Sequence, residues 1–184
     1  MKFRMFLFAV TVALICLPAA MGQLIINEID ADQSSTDSNE FIELYDGGIG
    51  NTVLDGYVVV LYNGGTDSSY DAIDLDGYLT DANGYFVIGS ATVPNVDLAV
   101  FTTNGLQNGA DAVALYADDA ANFPAGTAIT LTNLIDAVVY DTDDPDDPEL
   151  LALLNPGEPQ VDEDANGAAV TESIGRCPNG SGGA

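Results

Sequence analysis

The chain has 184 residues, 29 of them acidic and 3 basic, with no His or Trp and a formal net charge of −26. A surface of that sign repels DNA, RNA and anionic lipid at long range, so direct nucleic-acid binding is not expected. The absence of His closes off Ser-His-Asp, Cys-His and His-assisted nuclease chemistry, and the length suits one domain with a sizeable core rather than two.

Lys2 and Arg4 precede an apolar run over residues 5–17, and the small residues of "LPAAMG" follow. That order of charged, apolar and small segments predicts a secretory signal peptide over 1–22, too short in its apolar part for a membrane span. The mature chain, 23–184, is then secreted, extracellular or on the cell surface. Lys2, Arg4 and Cys16 leave with the leader. What remains has 29 acids against the single base Arg176, a net charge of −28, and Cys177 with no cysteine to pair with. Without Lys, Schiff-base and phosphate-clamp roles also lapse.

Short apolar or alternating runs follow at 24–29, 40–45, 57–62, 85–88, 98–101, 112–116, 129–131 and 135–140. Between them stand "DGG", "NGG", "DLDG", "DANG" and "NG", which supply the positive-φ residues of tight turns. Eight short strands with close-set turns predict an all-β sandwich or barrel. "PELLALLN", 148–155, is the one helical candidate, with Pro148 at the start and Pro156 as a stop. From 156 onward the chain reads as a long Gly-, Asn- and acid-rich loop.

Seven acids fall among the apolar residues of 25–48. Strict alternation places Glu28 on the face of Leu24 and Ile26, Glu40 with Ile42 and Leu44, and Glu43 with Phe41 and Tyr45. Two readings follow. Glu28 and Glu43 could be the paired carboxylates of an acidic glycoside hydrolase, about 5–10 Å apart. Alternatively Glu28, Glu40 and Glu43 are structural, accepting N–H bonds from neighbouring loops.

Zinc lacks ligands here, but oxygen-ligand metals do not. "DEDANG" puts Asp162, Asp164 and Asn166 at alternate positions before Gly167, the first half of a calcium loop, with Glu172 placed to close the shell one residue early. "YDTDDPDDPE" adds a looser cluster of Asp141, Asp143, Asp144, Asp146 and Asp147, whose mutual repulsion invites a counter-cation. Calcium is the expected cofactor, against the plainer reading of solvated acidic loops. Tyr57, Tyr62, Tyr70, Tyr78 and Tyr85 suggest a carbohydrate-stacking face, though Tyr is also common at strand edges.

"INEI", "EFIELYD", "LDGYVVVLY", "GYFVIG", "NGADAVALY" and "LIDAVVYD" occur in that order between residues 26 and 141. Together they resemble the lamin-tail domain family in its bacterial secreted form, often found beside extracellular nucleases. The resemblance implies an immunoglobulin-like antiparallel β-sandwich over 23–184. It also implies a non-catalytic module that binds or tethers an extracellular protein or glycan, and it favours the structural reading of the three glutamates. The alternative is an N-terminal accessory domain of a secreted nuclease, with its catalytic domain beyond residue 184. Phe41 and Tyr57 stand where family members commonly have Trp. "SIGRCPNGSGGA" resembles the approach to the family's final strand, so a sandwich lacking that strand is a further expectation, and with it a truncated chain.

Overall fold

The computed structural model describes residues 23–180, so the signal-peptide reading of 1–22 lies outside the described residues. In chain order the strands are β1 (Ile25–Asp30), β2 (Phe41–Tyr45), β3 (Val58–Asn63), β4 (Ser68–Asp74), β5 (Tyr85–Ser90), β6 (Leu98–Phe101), β7 (Asp111–Tyr116), β8 (Leu134–Asp141), β9 (Val161–Asp162) and β10 (Ile174–Gly175). They form two five-stranded sheets, β10-β1-β2-β5-β6 and β4-β3-β7-β8-β9. All pairings are antiparallel except β5 with β6 and β8 with β9. The fold is an all-β, immunoglobulin-like sandwich. No described helix is long and apolar enough to cross a membrane.

Alternation builds the inter-sheet core. Ile42 and Leu44 of β2 with Phe86 and Ile88 of β5 face Val59 and Leu61 of β3, Val113 and Leu115 of β7, and Val138 and Tyr140 of β8. The second sheet is buried on its other face as well. There Val58, Val60, Tyr62, Ala112, Ala114, Tyr116 and Val139 pack under Phe123, Leu150 and Leu153. This double burial explains why β3 and β7 read as near-continuous apolar runs. Tyr62 and Tyr116 share a 3.1 Å hydroxyl contact in this layer, and the Tyr116 hydroxyl also donates to the Thr130 carbonyl at 2.8 Å.

Several expectations need correction. The helical candidate is a 3₁₀ turn over Leu150–Leu153, shorter than 148–155, and its leucines cap the outer layer. Residues 129–131 form no strand; an isolated bridge joins Ala128 to Ser68. The sequence reading misses β4, because an edge strand solvated on one face can carry Ser and Asp at alternate positions. The acid-rich segment after 156, expected to be a loop throughout, contributes β9 and β10, and Ile174–Gly175 pairs with β1.

The largest correction is in β1. Register runs Ile26↔Leu44 and then Glu28↔Glu43, so Asn27 is an extra residue and the strand bulges there. A one-residue slip exchanges the two faces. Ile26 and Ile29 both enter the core, and Glu28 turns outward, away from Leu24 and Ile26.

The bulge is held by the sole base of residues 23–184. Arg176 donates from Nε to the Ile26 carbonyl at 2.8 Å and from Nη2 to both Asp136 oxygens at 2.8 and 2.9 Å. Asp136 in turn accepts the Ile26 N–H at 2.8 Å, so β8 of one sheet is tied to β1 of the other. The Arg176 N–H also donates to the Asn27 carbonyl. Removing the guanidinium leaves a mostly buried carboxylate without its counter-charge, a change that costs on the order of 3 kcal/mol. Arg176→Met is therefore expected to lower the urea midpoint of unfolding by that equivalent, with far-UV circular dichroism of the folded state unchanged. A loss under about 1 kcal/mol would show that the pair is only a surface contact.

Candidate functional site

Outward-facing residues of β1, β2 and β5 form a groove of about 420 Å³, lined by Glu28, Phe41, Glu43, Asp81, Tyr85, Val87, the turn at 93–95, and Asp97. Register dictates this assembly. Glu28 opposes Glu43, Glu43 opposes Val87, Tyr45 opposes Tyr85, and Phe41 opposes Gly89. Gly89 is needed here, since a Cβ would sit 3.0 Å from that of Phe41 and 2.8 Å from the Glu40 carbonyl oxygen. Tyr45 and Tyr85 stack with centroids 4.7 Å apart at one end.

Four carboxylates line this groove, each with a different neighbour. Glu28 accepts from the Ser173 hydroxyl at 2.5 Å, and Glu43 from Asn27 Nδ2 at 2.8 Å. Burial pushes the Glu43 carboxyl up; the Asn27 bond opposes this, and the charges of Glu28 and Asp81 add to it. Asp81 is held below its ordinary value by N–H bonds, first that of Tyr85. Asp97 bonds the β5 backbone, accepting the Val87 N–H at 2.9 Å. Glu28 and Glu43 are thus directly opposed on one exposed face, where cross-strand Cβ atoms stand about 5 Å apart.

Glu40 is elsewhere. It is fully buried on the inner face, with Ile42 and Leu44, and accepts the N–H groups of Gly105 and Leu106, each at 2.8 Å. Burial raises its carboxyl, and those two bonds offset part of the rise. It fixes the loop between β6 and β7.

A second acidic cluster joins the loop after β1 to the turn after β9. Gln33 ties it locally, donating from Nε2 to Asp30 at 2.6 Å and from its backbone to Asp37 at 2.8 Å. Asn108 Nδ2 donates to Asp32 at 3.3 Å and Asp37 at 3.1 Å. Glu163, in the middle of "DEDANG", is 6% exposed and packs against residues 30–32. Burial pushes its carboxyl up to about 8, with the charge of Asp30 adding to the rise; Asp30 itself rises to about 6, again chiefly through burial.

The seven residues expected to hold calcium do not converge. Asp162 accepts the N–H groups of Asp143 and Asp164, Asp164 accepts that of Ala169, and Asp141 accepts those of Asp143 and Asp144 with the Gln160 amide. Asn166 donates its amide to Glu172 at 2.7 Å. These oxygens cap their own turns, the local bonding that Asp and Asn favour. Among the described residues, the three carboxylates found with one oxygen each inside 4.8 Å are Asp67, Asp147 and Glu149, a set the sequence did not suggest because 67 and 147 are distant in the chain. Nor do the five tyrosines share a face. Tyr62 is in the outer layer of the second sheet, Tyr57, Tyr70 and Tyr78 pack against the inter-sheet core, and Tyr85 lines the groove. Cys177 is exposed as a free thiol.

A family model described as Lamin Tail Domain matches residues 18–142, from before β1 to the end of β8. No curated protein and no solved structure matches the chain.

The raised carboxyls set a pH dependence. Unfolded, Asp30 and Glu163 release their protons near their ordinary values of 3.8 and 4.5; folded, they do so near 6 and 8. The folded state therefore binds more protons across that window, and its stability falls as pH rises through it. In chelator at constant ionic strength, the melting temperature should be higher at about pH 5 than at about pH 8.5, and Glu163→Gln should flatten the upper half of the decline. A wild-type melting temperature that climbs across this range would contradict the assignment.

Proposed function

Since the chain belongs to the lamin tail domain family, we propose that it is an exported, non-catalytic tethering module that holds an extracellular protein in the groove on its first sheet. The observation that carries this reading is the groove itself, with an apolar floor of Phe41, Val87 and Tyr85 between the carboxylates of Glu28, Glu43, Asp81 and Asp97. An extended segment with Lys or Arg side chains fits it. The aliphatic stems lie on the floor and the charged ends reach the rim. The surrounding charge raises the encounter rate with such a partner and repels nucleic acid.

A second reading draws on the opposed Glu28 and Glu43, which occupy one face as a glycoside hydrolase would need. It makes glycan the partner and Glu43, with its raised carboxyl, the proton donor.

Both readings meet in one set of assays. A fluorescent peptide of alternating Lys and Leu should bind saturably, and Phe41→Ser or Glu28→Gln/Glu43→Gln should weaken it about tenfold. The charge-matched control Asp71→Asn/Asp74→Asn, on β4 of the other sheet, should leave it unchanged. Equal weakening by the control would reduce the binding to diffuse charge and overturn the proposal. Hydrolysis of an oligosaccharide by wild type but not by Glu43→Gln would establish the second reading instead.

A further inference from the structure

Glu163 poses a problem that the groove does not touch. Neither of its carboxylate oxygens has a hydrogen-bond partner, although the residue is 6% exposed. The N–H groups of Ala31 and Asp32 lie near enough to lower its carboxyl somewhat, but the nearby charges are Asp30 and Asp32, both negative. Asn108 Oδ1, on the amide that joins Asp32 to Asp37, is also buried with no donor. The unmet groups are all oxygen acceptors. An unpartnered buried carboxylate beside other carboxylates is costly unless a cation joins them. Among the described residues Arg176 is the one base, and its guanidinium is engaged with Asp136 and Ile26.

We infer that this cluster is a calcium site, with Glu163 as its central ligand and Asp30 and Asp32 completing the carboxylate set. The donors are oxygens throughout, which favours a hard cation over zinc, and their irregular arrangement suits calcium better than the strict octahedron of magnesium. Asp30, Asp32 and Glu163 do not all lie within 4.8 Å of one another, so binding has to draw them together. The ion would clasp two parts of the chain. Asp30 and Asp32 lie inside the family-matched segment 18–142, whereas Glu163 lies in the segment that follows it.

The test is calorimetric titration of the chelator-stripped full chain with calcium chloride, in sodium chloride concentrated enough to screen diffuse charge. One saturable site is expected, with a Kd of about 10⁻⁴ M and a melting temperature that rises with calcium. Glu163→Gln should lower the affinity at least about tenfold while folding normally without calcium, since a neutral group at 163 is what burial favours. Asp32→Asn, at a half-buried position, gives an independent loss should Glu163→Gln misfold. Asp67→Asn/Glu149→Gln, at the separate carboxylate set, should change nothing. Titration that never saturates, that vanishes in high sodium, or that survives both Glu163→Gln and Asp32→Asn overturns the site.

Discussion

Residues 23–184 must accommodate 29 carboxyl groups with a single side-chain cation among them, and much of the fold's detail follows from that shortage. Ion pairing serves Asp136 through Arg176, so the other buried carboxylates turn to backbone N–H and hydroxyl donors, the charge-assisted bonds open to them. Asp46 is fully buried and shows the solution at its most complete. It accepts the N–H groups of Ile49 and Gly50 and the hydroxyls of Thr52 and Thr80. Burial alone would push its carboxyl up, yet those bonds together leave it below its ordinary value. Glu40 and Asp141 follow the same rule with fewer donors. Where the donors do not offset burial, as at Glu40 and Glu163, the carboxyl rises instead.

The one guanidinium is spent where the geometry is least regular. The Asn27 bulge changes which face of β1 meets the core, and Arg176 and Asp136 hold the Ile26 peptide groups at that point. The functional face depends on this arrangement. Without the bulge, Glu28 would point into the sandwich, and the groove would lose the carboxylate opposite Glu43. A structural device at the strand's start thus determines the chemistry of the exposed sheet. Asn27 serves both ends, its amide bonding Glu43 while its carbonyl accepts from Arg176.

The strands were largely legible because their signal is apolar alternation between Asn-Gly and Asp-Gly turns, and runs such as "FIELY" and "LIDAVVYD" carry it plainly. The features that decide the candidate sites were not. Alternation assumes an unbroken register, and a single extra residue at Asn27 defeats it without leaving a Gly or Pro to mark the place. Glu163 stands between two aspartates that make the more familiar loop pattern, and a two-residue strand offers no periodicity to show which neighbour turns inward. The outer layer over β3 and β7 was visible in part. "VVVLY" and "AVALY" are too apolar for one buried face, but nothing local in "PELLALLN" says that its leucines supply the cover.

The Arg176 ion pair also bears on how the chain meets proteases. An enzyme of trypsin-like specificity cuts after Lys or Arg, and residues 23–184 offer it one bond, between Arg176 and Cys177. The side chain it must seize is 9% exposed and clamped between Asp136 and the β1 backbone. Cleavage has to wait until the segment carrying β10 peels from the sheet edge. Its rate then follows the population of that opened form rather than the frequency of encounter. Basic residues are ordinary targets on a protein surface, and here the scarcity that complicates folding leaves such enzymes a single scissile bond, guarded by the fold itself.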